Sequence, residues 1–496
     1  DTGPDRDFTV VVDVDGLEPA TTYWYRFESS SERSPVGRTR TMPGGDAPLF
    51  TLGMVSCARY SVAPLTVYRA LAEVEVDLVL HLGDYIYDDE GKKGPRTHQP
   101  PREVKQLADY RQRLAQIRMD RDCQALHLRH PMAFIWDDHD FADNAWSGGA
   151  KKHDPDEDGP WSVRRDEAIQ ALGEWLPWRR TNESGPASIY RALPIGNLAE
   201  LIRLDSRIIG RDAQASSEGA KPIDDPSRSL LGNEQWEWLD QRLSDTSRPW
   251  ALVANGVVFN PIPMDLPAER LLKPILPRGY VELEDGTVLR DDQWDGYPRE
   301  RDKLLQLIGS RKQADRRTVL LSGDVHSSWA FEGPGGPDGS ALAVEATVPS
   351  VASTPMGRTR PPGVWRILDY AVRRLEHVRW VDITSRGFAV LQIKPEEVTV
   401  GWWFVDPYET EDHPRAEVGA AFRSRLKGRP RWEEVSPAPE LGVDRHPVPA
   451  LPPRPDDVPY MRRWHLRRRF GLFSLVAAVV AALTGGLGWL VRSRRS

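Results

Sequence analysis

Leu78-Val-Leu-His-Leu-Gly-Asp84-Tyr-Ile-Tyr87 is an apolar run closed by Gly-Asp, with a phenol three residues beyond the carboxylate. A continuous apolar run of this length, following the charged Glu73 and Glu75, reads as a strand buried on both faces. Such strands lie centrally in sheets, and open α/β folds bind their ligands just beyond the carboxyl ends of those strands. Two readings of the segment stand side by side. Asp84 and Tyr87 could be hard oxygen donors to a metal. Equally, Asp84 could cap the strand-to-loop turn, with a surface tyrosine beside it.

Four further apolar runs end in the same manner. Phe50-Thr-Leu-Gly-Met-Val-Ser56-Cys57 ends in a thiol, and Phe134-Ile-Trp136-Asp137-Asp138-His139-Asp140 in three carboxylates and an imidazole. Val253-Ala254-Asn255 ends in an amide, and Leu320-Leu-Ser-Gly323-Asp324-Val-His326-Ser327 in an Asp-x-His pair. Taken singly, each has a structural explanation; a buried cysteine, for example, is commonly inert packing. Together, five strand ends in one sheet would bring Cys, Asp, Tyr, Asp, His, Asn, Asp and His to one edge. Metal sites need such convergence, because the donors must neutralise the ion and fill its coordination shell. So many charged and imidazole donors suit two ions better than one. A Gly-x-Ser-x-Gly elbow, a Gly-Lys-Ser phosphate loop and a helical His-Glu-x-x-His motif are all missing, which removes the commoner hydrolytic alternatives.

Outward from these runs, the pattern from Phe50 alternates strands with amphipathic helices, the mark of α/β architecture. Strands are expected over 50–55, 78–82, 132–136, 201–204, 251–254, 319–322, 343–347, 387–393 and 398–405. Helices are expected over 64–74, 104–117, 163–176 and 233–243. Ahead of this region, residues 1–45 read as the end of a β-sandwich. There Phe8-Thr-Val-Val-Val-Asp-Val14 and Thr22-Tyr-Trp-Tyr-Arg-Phe27 alternate apolar with polar residues around a Gly16-Leu17 turn. The spacing of Leu17, Pro19, Tyr23 and Tyr25 resembles the later strands of a fibronectin type III-like module. A whole module has about seven strands, so this one is expected to be truncated. The first residue is Asp rather than Met, and the chain reads as a fragment lacking its upstream part.

At the other end, residues 427–465 hold nine prolines and read as a semi-extended linker. Residues 470–491 then run without a charge between two arginine clusters, long enough to cross a bilayer. The division expected is therefore 1–45, a catalytic domain over 46–410, a linker and juxtamembrane segment over 411–469, and a transmembrane helix over 470–491. With 496 residues and a net charge of −7, the chain has a large core and no basic field for nucleic acid. Its two cysteines, Cys57 and Cys123, exclude a disulfide framework and leave room for one bridge.

Ser56-Cys57, Gly83-Asp84-Tyr85-Ile86-Tyr87, Trp136-Asp-Asp-His139-Asp140, Leu204-Asp-Ser-Arg207, Gln293-Trp-Asp-Gly-Tyr297 and Gly323-Asp-Val-His326-Ser together resemble the alkaline phosphatase D (PhoD) family. These are relatives of the purple acid phosphatases among the calcineurin-like metallophosphatases. The resemblance implies a four-layer α/β/β/α sandwich behind a fibronectin-like module, a centre of Fe³⁺ with Ca²⁺, and hydrolysis of phosphate mono- and diesters by a metal-activated hydroxide. Carried over by motif, Cys57, Asp84, Tyr87 and His326 would surround iron, with Asp84 bridging. Asp138, Asn255 and Asp324 would face the second ion, where an all-oxygen set suits Ca²⁺. His139 would meet the substrate as hydrogen-bond donor or leaving-group acid, and Arg207 would clamp phosphate through its fork. Tyr85, Trp136 and Trp294 are expected as packing or pocket wall.

The expectation is a membrane-anchored phosphatase or phosphodiesterase, its catalytic domain outside the cytoplasm. Two alternatives accompany it: a lipid or cell-wall phosphate as substrate on the same fold, and a cell-surface binding module that has lost activity. The oligomeric state is not legible.

Overall fold

The structure, a computed structural model, describes residues 2–444 apart from 30–31, 92–93, 177, 179–188, 246, 263–279, 283–287, 311–315, 334–339, 360–365, 367–368, 371 and 410–412. At the N-terminus, β1 (Thr22–Tyr25) pairs antiparallel with β2 (Gly37–Arg40). The strand expected over 8–14 does not form. That segment runs unpaired, with Phe8 67% exposed and Val10, Val11, Val12 and Val14 all more than half exposed. Alternation marks a face that could be covered, and no described strand lies there to cover it.

β3 (Phe50–Val55), β4 (Leu78–Leu82) and β5 (Met132–Ile135) follow as parallel neighbours. Helices Thr66–Ala72, Leu107–Arg118, Arg121–Arg129 and Trp161–Trp175 accompany them. A second sheet begins with β6 (Arg191–Ile195), β7 (Ala199–Arg203) and β8 (Trp250–Ala254), with helix Asn233–Ser244 before β8. A ribbon of β9 (Tyr280–Glu282) and β10 (Val288–Arg290) and helix Pro298–Ser310 come next. β11 (Arg317–Ser322), β12 (Ser328–Glu332), β13 (Val344–Thr347) and β14 (Val378–Asp382) complete that sheet. The chain then returns to the first sheet through β15 (Gly387–Ile393), β16 (Glu397–Val405), β17 (Ala416–Arg425) and β18 (Glu433–Glu434). The sheet orders are β18-β17-β16-β15-β3-β4-β5 and β14-β12-β13-β11-β8-β7-β6.

The two sheets face each other. Leu52, Met54, Leu80, Leu82 and Trp402 of one share a single buried cluster with Leu201, Leu252, Val319, Leu321 and Ala346 of the other. The opposite faces are covered by helices: Val55 and Val79 pack with Val67, Leu71, Leu114 and Leu126, and Ile202, Val253 and Leu320 with Trp236, Leu239 and Leu304. Strands buried on both faces explain why their sequences are continuous apolar runs rather than alternating ones.

The mixed α/β class is as the sequence implies, with several differences in its details. The five chemically marked strand ends are not in one sheet: β3, β4 and β5 belong to one, β8 and β11 to the other. The 411–469 segment is not all linker, because β17 and β18 extend the first sheet. Ala416–Arg425 carries many small and charged residues, and its pairing with β16 supplies what its apolar content does not. Cys57 and Cys123 are both free and buried, with no bridge between them. Strands β6, β12 and β14 and helices Arg121–Arg129 and Pro298–Ser310 add to the expected set; β6 carries Pro194, tolerated because this strand lies at the sheet edge. The expected membrane span at 470–491 lies outside the described residues. Among those described, no helix is long and apolar enough to cross a membrane.

Candidate metal centre

Every donor named from the sequence sits just after the carboxyl end of a parallel strand. Cys57 follows β3, Asp84 and Tyr87 follow β4, and Asp138 and His139 follow β5. Asn255 follows β8, and Asp324 and His326 follow β11. The two sheets touch at these ends. A Cβ on Gly323 would lie 2.9 Å from the Ser56 Cβ and 3.0 Å from the Leu82 carbonyl oxygen, so only glycine lets β11 close onto β3 and β4.

Backbone strain gathers here too. Eight described non-glycine residues have positive φ, and four of them are Cys57 (59°), Asp84 (57°), Asp324 (62°) and His326 (52°). Left-handed backbone is costly for residues with a Cβ and persists where the surroundings enforce it, often at functional sites. Asp140 is one enforcer: its carboxylate accepts from the amides of Asp84 (2.9 Å), Ile86 (3.1 Å) and Asp137 (2.9 Å). Gly83 is another, at φ +94° with Asp137 Cβ 2.5 Å from where its own would be.

The donors form three groups whose ligand atoms lie within 4.8 Å of one another: Cys57, Asp84 and His326; Asp84, Asp138 and His139; and Asp84, Asp137, Asp138 and Asp324. Asp84 belongs to all three. The Tyr87 hydroxyl donates to Asp84 Oδ2 at 2.7 Å and lies 3.1 Å from His326 Nε2, so the phenol joins the first group. His326 Nδ1 faces the Thr354 carbonyl at 3.2 Å, which turns Nε2 inward. Burial, then the charges of His139 and Arg59, lowers the His326 pKa to about 3, keeping it neutral and able to donate its lone pair.

The anionic donors are poorly accommodated by protein alone. Burial pushes the Cys57 thiol well up, helped by Asp84 and Asp324. Burial likewise raises Tyr87, Asp84, Asp137 and Asp324. Asp138 Oδ1 is buried without a hydrogen-bond partner among the described residues. Thiolate, phenolate, imidazole and carboxylates converging on buried space fit bound cations, which would replace the lost hydration.

His139 is held on two sides. Its Nδ1 lies 2.6 Å from Asp88 Oδ1, and its ring sits 4.3 Å from that of Tyr87. Burial pulls its pKa down, but Asp138, Asp84 and the bond to Asp88 outweigh that and hold it well above the ordinary value. Arg207 departs from its expected role. It is fully buried, bonded to Asp137 through Nε (2.5 Å) and to Asp292 through Nη1 (2.7 Å). With both edges of the fork taken by carboxylates, it serves as an internal counter-charge, 3.8 Å from Asp324, rather than as an open phosphate clamp.

Asn255, directly after β8, accepts from Trp294 Nε1 through its Oδ1 at 3.0 Å. Tyr85 stays structural, its hydroxyl against Cys123 Sγ and His127 Nε2. Trp136 is buried and donates to Asp205. Asp88 and Asp292 lie outside the motifs quoted from the sequence, while Asp137 and Gln293 lie within them without an assigned role. Asp88 directly follows Tyr87, and a second carboxylate there was the available signal.

Residues 52–402, more than half of the chain, match the PhoD-like phosphatase family, and residues 1–43 match the PhoD-like phosphatase N-terminal domain. The chain belongs to the PhoD-like phosphatase family. It is 37% identical over 345 residues to alkaline phosphatase D of Bacillus subtilis (strain 168), covering 66% of this chain and 54% of that relative. The chain thus spans about half the length of this curated relative. The solved structure of PhoD superposes with a TM-score of 0.74 at 30% identity, covering 88% of this chain and 81% of the other.

Proposed function

We propose that this PhoD-like chain hydrolyses phosphate mono- and diesters with a pair of bound metal ions. The observation that carries the reading is the sharing of Asp84 by three donor groups, as expected of a carboxylate that bridges two ions. Cys57, Tyr87 and His326 on one side would hold iron, since anionic sulfur and oxygen donors stabilise a ferric charge. Asp138, Asn255 and Asp324 on the other would hold calcium with oxygen donors. When bound, the ions would supply Lewis acidity towards a phosphoryl oxygen and acidify the attacking water.

The chain's own contribution is proton placement and neutralisation. With Nδ1 held by Asp88, His139 would present Nε2, 18% of its side chain exposed, where a proton could bond a phosphoryl oxygen or pass to the leaving group. Buried Arg207 offsets Asp137 and Asp292, limiting the charge the ions must balance. The apolar segment at 470–491 would tether the domain to a membrane with its site extracytoplasmic. Metal analysis and assays with aryl phosphate mono- and diesters test the reading. The expectation is iron with a second ion and turnover of at least one ester; a metal-free protein inert towards both would overturn it.

A further inference from the structure

The motif Gln293-Trp294-Asp295-Gly296-Tyr297 has no donor of its own among the groups above, yet two of its side chains touch second-ion donors. We propose that Gln293 and Trp294 are positioning residues for the second metal position and leave the iron side untouched; this rests on the metal assignment just given.

Trp294 Nε1–H donates to Asn255 Oδ1 at 3.0 Å, while Asn255 Nδ2 donates to the Leu321 carbonyl at 3.2 Å. Flipping the amide would set N–H against N–H and oxygen against oxygen, so its orientation is fixed. A carbonyl oxygen accepts through two lone pairs, and the second remains for a cation. Gln293 is oriented by the same logic. Its Oε1 accepts from the Val258 amide at 2.7 Å, which leaves Nε2 as the donor to Asp324 Oδ2. One carboxylate oxygen of Asp324 is thereby anchored and the other left available.

The turn that presents both side chains is itself rigidly seated. Trp294 is fully buried, 5.1 Å from the Phe259 ring, and its amide bonds the Val258 carbonyl at 3.2 Å. Asp295 accepts from the Ile262 amide at 3.2 Å and pairs with Arg301 at 2.5 Å. The iron-side groups are held from elsewhere: the Cys57 amide donates to the Gly83 carbonyl, and the Tyr87 hydroxyl accepts from Ser353 Oγ at 2.7 Å. Separate supports predict separable losses.

The test uses the full chain loaded with both metals. Trp294→Phe keeps an aromatic ring but removes the N–H together with the five-membered ring of the indole; Gln293→Met keeps length and removes both the donor to Asp324 and the acceptor of the Val258 amide. Each should weaken Ca²⁺ binding about 10–100-fold, the usual effect of losing an outer-shell partner, read by competition with a chelator and by the Ca²⁺-dependent rise in Tm. The visible iron absorbance should stay at wild-type intensity. Unchanged Ca²⁺ affinity in both variants overturns the inference, and so does parallel loss of iron and calcium, which would mark a general structural role. A wild-type chain that takes up neither metal overturns the proposed function and this inference with it; a wild type with both metals and insensitive variants overturns this inference alone.

Discussion

Asp88 and His139 meet at 2.6 Å within a site crowded with carboxylates. Burial lowers the affinity of an imidazole for its second proton, and here neighbouring charge wins. Asp88→Asn keeps the shape and removes one of the attracting charges, so the His139 pKa should fall. If His139 acts as the acid, the alkaline limb of the kcat/KM profile should move to lower pH, and kcat should drop by about 10²-fold. Metal content should hold, because Asp88 belongs to none of the donor groups. An unmoved alkaline limb would remove His139 from proton transfer. Cys57 offers a spectroscopic counterpart. Cys57→Ser replaces the soft donor, and on the proposed iron assignment the visible band should disappear with most of the iron; unchanged colour and activity would show that the thiol is only packed in the core.

At the scale of the element, the strand-end turns make the site. Gly83→Ala would place a methyl 2.5 Å from Asp137 Cβ at φ +94°, a conformation unfavourable for any residue with a Cβ. The turn carrying Asp84 must then shift, and the variant should bind both metals more weakly while keeping most of its helical circular dichroism. Retention of full metal occupancy would show the turn can absorb the methyl. The same elements explain what was legible. β3, β4, β5, β8 and β11 are buried on both faces, so their apolar runs stand out, and among the polar residues closing them are Cys57, Asp84, Asp138, Asp324 and His326, which the fold groups closely, with Tyr87 bonded to Asp84. Their distribution over two sheets was not legible, because a run of apolar residues does not say which neighbour it pairs with. β17 was missed since Ala416–Arg425 has half-exposed, small and charged residues. The burial of Arg207 is not legible because its partners Asp137 and Asp292 are remote in sequence, and the position of Asp88 after Tyr87 does not by itself show that it orients a histidine.

On the scale of the whole molecule, three distant segments meet at one ion pair. Arg38 of β2 pairs with Asp444 (Nη2 to Oδ2, 3.0 Å) and, through Nε, donates to the Arg129 carbonyl at 2.9 Å. The chain around Asp444 is held by Gly442 against Glu75 (2.7 Å) and by the Asp444 amide on Glu73 (2.8 Å). His130 lies within this clamp, buried, with Nδ1 3.3 Å from Arg38 Nη2 and Nε2 3.2 Å from the Ala72 carbonyl. Nδ1 therefore accepts from a guanidinium and has no room for a proton. Burial, then Arg38, lowers its pKa to about 4, with Asp444 only partly opposing. An unfolded histidine titrates near 6.5, so between these values the unfolded chain binds more protons and stability falls as pH falls. Across that window the residue accounts for about 3 kcal/mol, present above pH 6.5 and lost towards pH 4. His130→Gln removes the titration while keeping an acceptor for Arg38. Its stability in urea should decline less than that of the wild type between pH 7 and pH 4, the gap widening as pH drops. Parallel curves would mean that the clamp opens locally and takes up the proton before the fold is lost.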